Sequence, residues 1–252
     1  MRARNSNGST PQNFCREPLG NASPISYDDP ITRFAYIYRY VASHANMVYT
    51  LITNSQDLSA LFDSDKINVT CIGGGPGSDL LGILKFMLNQ GKNATLRCSL
   101  YDKEQAWGDS WSDVDDKLSA PFRVSTFFQS FDVAEPTTWG QHIKFLNADL
   151  FTMVYFMSEI YRVKDKAEPF FINLFSKSKQ GALFLYVDND NSTFSDWFDA
   201  LIRQHALKVL ASNSTRLGVD WDEEKRDLGL YYSKFGDPKL RGEIAYRICQ
   251  RC

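Results

Sequence analysis

Short apolar runs alternate with amphipathic segments along most of the chain. Five runs have the length and composition of β-strands, and they cover residues 69–72, 96–102, 126–133, 149–156 and 181–187. Between the first two, Leu80, Leu81, Leu84 and Leu88 share one face of a predicted helix whose expected N-cap is Ser78. Strands that alternate with helices predict an α/β fold.

The N-terminal region divides into two parts. Residues 1–24 are rich in Asn, Ser, Gly, Pro and Arg without apolar periodicity, which predicts a disordered leader. From Asp28 onward, Pro30 and a series of spaced apolar positions predict a helix from Ile31 to about Asn54. We therefore expect one domain over residues 25–252, with an N-terminal helical segment at 25–64. The tyrosines of this segment either form a surface beside a ligand or pack on the sheet, and they are Tyr36, Tyr38, Tyr40 and Tyr49.

Two further elements are predicted near the C-terminus. Residues 230–235 and 241–250 read either as the last two strands or as a strand with its flanking helix. The alternation of Ile244, Tyr246 and Ile248 favours an edge strand for the second of them.

A glycine-rich turn follows the first predicted strand. Gly73, Gly74, Gly75 and Gly77 separate that strand from the leucine-rich helix. Glycine adopts positive φ and lets a ligand approach the backbone closely. A strand, a glycine loop and a helix N-terminus form the first half of a nucleotide-binding α/β unit, so the loop predicts a nucleotide-like cofactor.

Acids mark the ends of the next two predicted strands. Asp102 ends the second strand, where an acid accepts hydrogen bonds from the ribose hydroxyls of a bound adenosine. Asp132 ends the third, where a side chain meets the adenine amino group. Gln105 and Trp107 follow Asp102 and are expected to flank adenine or ribose, although packing of Trp107 between helices is an equal alternative.

In this order the motifs resemble those of the class I S-adenosylmethionine-dependent methyltransferases, over roughly Ile67 to the C-terminus. The resemblance implies a Rossmann-like, mostly parallel twisted sheet of about seven strands, with helices on both faces and an antiparallel last strand. It implies S-adenosylmethionine as cofactor, with the glycine loop beneath methionine and ribose, Asp102 on ribose and Asp132 on adenine. The predicted cofactor-binding residues are Gly73, Gly74, Gly75, Gly77, Asp79, Asp102, Gln105, Asp132, Val133 and Tyr155.

The chain departs from the family pattern in two places. Many members carry an acid two residues before the first loop glycine, whereas Cys71 stands there and removes one contact to the cofactor's amino group. The separation of Gly77 from Asp102 is also long, which predicts an extended helix or a longer loop near residues 89–93.

The predicted reaction is methyl transfer by in-line displacement. Because the sulfonium is already a strong methyl donor, the protein mainly holds a nucleophile in line and removes a proton where needed. Glu159 and Asp188 follow the fourth and fifth strands and are the predicted bases, although either carboxylate is equally a cap or a surface group.

Comparison with two family motifs restricts the possible type of methyl transfer. Met157, Ser158 and Glu159 stand where enzymes that methylate base amino groups carry Asp/Asn-Pro-Pro-aromatic, which disfavours that activity. Asp188 and Asn189 resemble the metal ligands of cation-dependent O-methyltransferases, but Met157 lies near the place of the companion acid, so no metal is predicted.

Composition adds few constraints. The chain has 252 residues, 43% of them apolar, a net charge of −2 and five cysteines without paired metal spacing. We see no strong nucleic-acid signal, no apolar run long enough to span a membrane and no signal peptide, so we expect an intracellular protein, cytoplasmic or nuclear. The methyl acceptor, whether small molecule, protein or RNA, is not identified.

Two other functions remain open. An NAD-dependent oxidoreductase would also use Gly73, Gly75 and Asp102, but the chain has no Tyr-x-x-x-Lys pair and Gly77 comes one residue early for a dinucleotide fingerprint. A non-catalytic S-adenosylmethionine-binding or scaffold protein would keep the fold without turnover, and Cys71 leaves that possibility open.

Overall fold

The computed structural model describes residues 26–219 and 221–252, with side chains from Leu228 onward in the second range. The predicted leader, residues 1–24, lies outside the described residues.

A nearly continuous helical segment opens the described chain. It consists of α1 (Pro30–Tyr36), a π-helical turn (Ile37–Val41) and α2 (Ala42–Asn54), followed by the short α3 (Gln56–Leu61). The Asp29 carboxylate caps α1 by accepting hydrogen bonds from the backbone N–H groups of Ile31 and Thr32. Helix α2 buries Met47, Val48, Leu51 and Ile52.

One seven-stranded sheet forms the centre of the protein, with strand order β3-β2-β1-β4-β5-β7-β6. Its strands are β1 (Lys66–Ile72), β2 (Thr95–Asp102), β3 (Val124–Ser130), β4 (Leu150–Val154), β5 (Leu183–Asn189), β6 (Lys208–Gly218) and β7 (Arg241–Gln250). Strands β1 to β5 pair in parallel, while β7 runs antiparallel to both β5 and β6. The predicted mostly parallel sheet with an antiparallel last strand is confirmed.

Helices cover both faces of this sheet. The remaining helices are α4 (Ser78–Asn89), α5 (Ala106–Asp115), α6 (Pro136–Trp139), α7 (Phe156–Ile160), α8 (Lys164–Lys177), α9 (Ser192–Gln204) and α10 (Trp221–Phe235), which is interrupted at Gly229. One core joins α2 and α4 to the sheet, with Val48, Leu80 and Ile83 fully buried. The other is rich in aromatic residues from α8, α9 and β5, including Phe170, Phe171 and Phe198. None of the helices in the described residues combines the length and apolar character needed to cross a membrane.

The structure decides one open alternative and corrects three local predictions. Residues 230–235 form a helix, one of the two predicted alternatives, and their apolar side chains lie on the surface, with Leu230 79% exposed. Strand β7 is internal rather than an edge strand, because β6 pairs with its outer side. Strand β3 ends at Ser130 instead of continuing to residue 133. On α4, Leu88 is 48% exposed, while Ile83 and Met87 complete the buried face.

The parallel strands bring the predicted site residues to one edge of the sheet. The carboxyl ends of β1, β2, β4 and β5 lie side by side, and the register pairs Asp102 at the end of β2 with Ser130 at the end of β3. In open α/β sheets ligands bind at this carboxyl edge.

Candidate functional site

The glycine loop between β1 and α4 is a tight turn closed by backbone hydrogen bonds. Gly73, Gly75 and Gly77 have φ values of 66°, 42° and 83°, a region that favours glycine. The Gly74 N–H donates to the carbonyl of Tyr101 on β2 at 3.0 Å, and the Gly77 N–H donates to the Gly74 carbonyl at 2.7 Å. Gly77, rather than the expected Ser78, is the N-cap of α4, and Ser78 is its first residue.

Three aromatic rings pack against the glycines of this loop. A methyl group added at Gly73 would overlap the ring of Phe156, and one at Gly77 would overlap Trp111. At Gly75 there is more room, since the added carbon would lie 3.7 Å from Trp107 and 3.8 Å from the Asp102 carboxylate. The loop is therefore enclosed by aromatic side chains and is least crowded at Gly75.

Asp102 ties the end of β2 to the loop. Its Oδ2 accepts a hydrogen bond from the Gly75 N–H at 3.0 Å, and its Oδ1 accepts one from the Glu104 N–H at 3.0 Å. Burial raises the pKa of this carboxyl to about 6, although the two backbone hydrogen bonds stabilise the charged form and so oppose the rise. The carboxylate is thus held beside the loop in a fixed orientation.

The other residues that were predicted to bind adenosine lie in different environments. The Asp132 carboxylate accepts a hydrogen bond from the Ala134 N–H at 2.9 Å, in the turn that follows β3. Val133 is 5% exposed and belongs to the aromatic core, and its carbonyl accepts a hydrogen bond from the Trp139 indole. Gln105 is exposed at the N-terminus of α5. Asp102 and Asp132 therefore lie at the same edge, while the Val133 side chain points into the core.

Asp79 lies in the first turn of α4 and is nearly inaccessible, at 1% exposure. Its carboxylate accepts hydrogen bonds from the hydroxyls of Thr152 on β4 and of Ser78. Burial raises its pKa to about 7. In this structure the Asp79 side chain joins α4 to β4.

Beyond β4 and β5, the two predicted bases differ in accessibility. The Asp188 side chain is fully buried and accepts hydrogen bonds from the backbone N–H groups of Ser158, in the first turn of α7, and of Asn189, both at 2.8 Å. Glu159 is exposed to solvent as a residue, but its carboxylate is hydrogen-bonded to Tyr27 and is largely surrounded by protein. Desolvation by the surrounding protein, reinforced by the carboxylates of Asp102 and Asp188, raises the pKa of Glu159 to about 8.

An aromatic cover, formed by Tyr27, Tyr36 and Trp107, lies over this edge. The ring centroid of Trp107 is 5.0 Å from that of Tyr27 and 5.6 Å from that of Tyr36. As a result, Trp107 is only 2% exposed. The pKa of Tyr36 is raised mainly by desolvation, and the nearby carboxylates of Glu159, Asp79 and Asp102 raise it further. The Arg33 guanidinium stabilises this aromatic cover by donating hydrogen bonds to the Tyr27 carbonyl at 2.7 Å and to the Ser110 hydroxyl on α5 at 3.2 Å.

Tyr155 anchors the N-terminal helices to the end of β4. It has a positive φ of 55°, and its ring stacks on His44 of α2 at 4.1 Å, with an interplanar angle of 14°. The Tyr155 hydroxyl contacts the Met47 sulfur at 3.8 Å. Of the four N-terminal tyrosines, Tyr36 and Tyr40 face this side, whereas Tyr38 bonds to Gly236 and Tyr49 contacts Lys85.

The sequence did not predict the contacts that His44 and Tyr27 make at this edge. His44 is 4% exposed in the structure. The available signal was the spacing of Tyr36, Tyr40 and His44, which lie four residues apart and therefore share one helix face. Tyr27 precedes the α1 cap and carries no periodic signal.

Elsewhere, a groove of about 340 Å³ lies between α2, α3 and the β6–β7 sheet surface. Its lining includes Asn54, Asp57 and Thr215 and contains none of the predicted site residues. Within the described ranges, no three His, Cys, Asp or Glu side chains are grouped closely enough to hold a metal ion.

The fold is similar to that of solved methyltransferases. An S-adenosylmethionine-dependent methyltransferase from Methanosarcina mazei matches 75% of this chain and 93% of its own, with a TM-score of 0.50 and 10% identity. The CurJ carbon methyltransferase matches 88% of this chain and 58% of its own, with a TM-score of 0.52 and 12% identity. No protein-family model matches the chain, and no curated protein matches it. At such low identity these likenesses establish the fold alone, which is the class I, Rossmann-like methyltransferase fold.

Proposed function

We propose that this protein binds S-adenosylmethionine at the carboxyl edge of the sheet and transfers its methyl group to an acceptor. The observation that carries the proposal is the hydrogen bond from the Gly75 N–H to the Asp102 carboxylate. It fixes an acid beside the least crowded glycine of the loop, at the edge where ligands bind in such sheets.

The residues at this edge fit the cofactor. Asp102 would hold the ribose hydroxyls, the backbone of residues 73–77 would lie beneath methionine and ribose, and Asp132 would meet adenine. Carboxylates are suited to a ligand that carries a sulfonium and an ammonium group, and Asp79, Asp102, Glu159 and Asp188 all lie near this edge. The cofactor supplies an activated methyl group when bound.

Glu159 is the proposed base. The exposed position of the residue and the raised pKa of its carboxylate, about 8, suit a group that takes a proton near neutral pH. Asp188 was an equal prediction, but its carboxylate is fully buried and already accepts hydrogen bonds from Ser158 and Asn189. We therefore propose that Asp188 positions α7, and with it Glu159, rather than exchanging protons.

A second candidate, a scaffold without cofactor turnover, draws support from the aromatic cover. Trp107 is 2% exposed beneath Tyr27 and Tyr36 and lies against Gly75. A ligand at Gly75 therefore has to displace or slide beneath these rings.

Calorimetric titration with S-adenosylmethionine, S-adenosylhomocysteine and NAD in parallel tests these proposals. Saturable binding of the first two without NAD, together with incorporation of labelled methyl from a donor into a cell extract, supports the methyltransferase. Binding without any labelled product supports the non-catalytic candidate. Binding of NAD alone, or no binding, refutes the cofactor assignment.

A further inference from the structure

Strand β6 is the last strand of the sheet and has a free outer side. Within the described residues it pairs only with β7. The Val219 N–H donates to the Leu240 carbonyl at 2.9 Å, which continues the β6–β7 register and makes Val219 a hydrogen-bonded position. Because hydrogen-bonded and non-hydrogen-bonded positions alternate in an antiparallel pair, Ser212, Ser214 and Arg216 direct their backbone N–H and C=O groups away from β7.

Two side-chain hydrogen bonds agree with this orientation. The Ser214 N–H donates to the side-chain oxygen of Asn213 at 2.8 Å, and the Gly218 carbonyl accepts a hydrogen bond from the Asn46 side chain on α2 at 2.6 Å. Both backbone groups are bonded to side chains rather than to β7. Outward-facing backbone groups of a last strand need such partners, or water, as long as no further strand pairs with them.

The features that hinder pairing with a further strand lie at the two ends of β6. A bulge between Val209 and Ala211 interrupts the register near its start, and Asn46 covers Gly218 at its end. Between them, residues 212–216 keep a regular register with β7 and contain neither proline nor lysine. This stretch is therefore open to an extended segment that adds to the sheet.

The groove between α2, α3 and the β6–β7 surface adjoins this stretch. The β6 side chains that line it are alternate residues, which share one face of the strand, and they are Ala211, Asn213, Thr215 and Leu217. Leu51, Tyr246 and Ile248 add apolar surface. A further strand beside β6 would continue this face, so every second side chain of that strand would lie along the groove.

An unpaired carboxylate sets the charge of the groove. Asp57 lines it and is exposed, and its carboxylate has no ion pair or hydrogen bond among the described residues. The four β6 side chains in the groove are uncharged, while Arg216 lies on the other face of the strand, 3.7 Å from Glu243. A basic side chain in the groove would therefore be attracted to Asp57. A second copy of this chain would instead bring another Asp57 to the same face of the sheet and no cation to the groove.

We propose that the outer side of β6 binds an extended peptide of another protein, which adds to the sheet and places a basic side chain in the groove near Asp57. The outward backbone groups of Ser212, Ser214 and Arg216 pair with the peptide. Asn213 releases the Ser214 N–H to a carbonyl of the peptide. The groove contains none of the predicted cofactor or catalytic residues, so this interaction does not depend on the proposed function.

A synthetic heptapeptide tests the pairing. Acetyl-Val-Thr-Arg-Thr-Val-Thr-Val-amide alternates groove-facing side chains with threonines, and it should shift the backbone amide resonances of residues 212–216 in a nuclear magnetic resonance titration. Replacing its arginine by glutamate should weaken binding roughly 5-fold. N-methylation of the threonines, whose N–H groups would face β6, should abolish binding, whereas N-methylation of the arginine and the central valine should not. Equal affinities for the two charge forms, equal effects of the two methylation patterns, or no binding would overturn the proposal.

Matched variants locate the peptide on the protein. Ser214→Pro removes an outward N–H and keeps the bonds to β7, since proline is tolerated where a last strand faces solvent, and it should abolish binding. Ser214→Ala keeps the N–H and should bind normally. Asp57→Asn should remove the preference for arginine over glutamate, whereas Asp65→Asn, an equal change of charge outside the groove, should retain it. Unchanged affinity in a folded Ser214→Pro protein contradicts the pairing, and the methylated peptides test it if that variant does not fold.

Analytical ultracentrifugation tests the other possible occupant of the outer side of β6. The protein without peptide should sediment as a single species whose mass does not depend on concentration. A concentration-dependent dimer that Ser214→Pro abolishes would assign this surface to a second copy of the chain and would overturn the peptide proposal.

Discussion

Replacement of Asp102 tests the cofactor assignment most directly. Alanine removes both carboxylate oxygens, which accept hydrogen bonds from Gly75 and Glu104 at 3.0 Å each. If the carboxylate also holds the ribose, the lost hydrogen bond to a charged group should weaken S-adenosylmethionine binding by about 1.5–3 kcal/mol, or roughly 10- to 150-fold in Kd. The raised pKa of Asp102, about 6, means that the folded protein holds this charge at some cost. We therefore expect Asp102→Ala to fold and to lose affinity rather than stability.

Calorimetry with S-adenosylhomocysteine and a thermal melt measure the two effects separately. Asp113→Ala is the matched control, because Asp113 is an exposed acid on α5 and its loss changes the net charge equally. Affinity for the cofactor in the unmutated protein should also fall below about pH 6 as Asp102 takes up its proton. A folded Asp102→Ala protein with unchanged Kd would refute the role given to Asp102.

Three further outcomes are expected. The raised pKa of Glu159, about 8, means that the native state binds its proton more tightly than the unfolded chain, so Tm should fall as pH rises from 6.5 to 8. Asp79, whose pKa is raised to about 7, adds to this fall, whereas His44, whose folded pKa is lowered, opposes it near pH 6.5, where the unfolded imidazole still binds protons. Glu159→Gln should therefore reduce the slope of Tm against pH and Glu135→Gln should not, and equal slopes would contradict the explanation. Arg33→Ala should loosen the aromatic cover, which stopped-flow Trp fluorescence would detect as faster cofactor association, with an unchanged rate as the opposing result. Gly77→Ala combines a positive φ of 83° with overlap of Trp111 and should lower the unfolding free energy by about 1–3 kcal/mol in urea titrations; an unchanged midpoint would show that the loop relaxes.

The features that the sequence predicts well are those with strong local signals. The loop at residues 73–77, the acid at Asp102 and the five parallel strands follow from glycine content, strand-length apolar runs and the position of acids at strand ends. These signals are local, since each depends on a few consecutive residues whose backbone preferences agree with the tertiary fold.

Elements stabilised by distant contacts escaped prediction. Strand β6 carries the polar run 212–216 on the outer edge of the sheet, so it lacks the alternation of a half-buried strand. The apolar side chains at 230–235 left a strand and a helix as open alternatives, because they lie exposed on a helix and their pattern does not distinguish the two. The contact between His44 and Tyr155 joins residues that are far apart in sequence, and the buried hydrogen bonds of Asp188 are visible only once β5 and α7 are placed.

The rings that enclose the glycine loop have an entropic consequence. Phe156 and Trp111 leave no space for a side chain at Gly73 and Gly77, and the backbone hydrogen bond from Gly74 to Tyr101 joins the turn to β2. A loop already ordered before a ligand arrives loses little conformational freedom on binding, so more of the interaction energy remains as affinity. A ligand at Gly75 has to displace Tyr27 and Tyr36 from Trp107, so the contacts of these rings, rather than the glycines, should set how quickly ligands enter and leave.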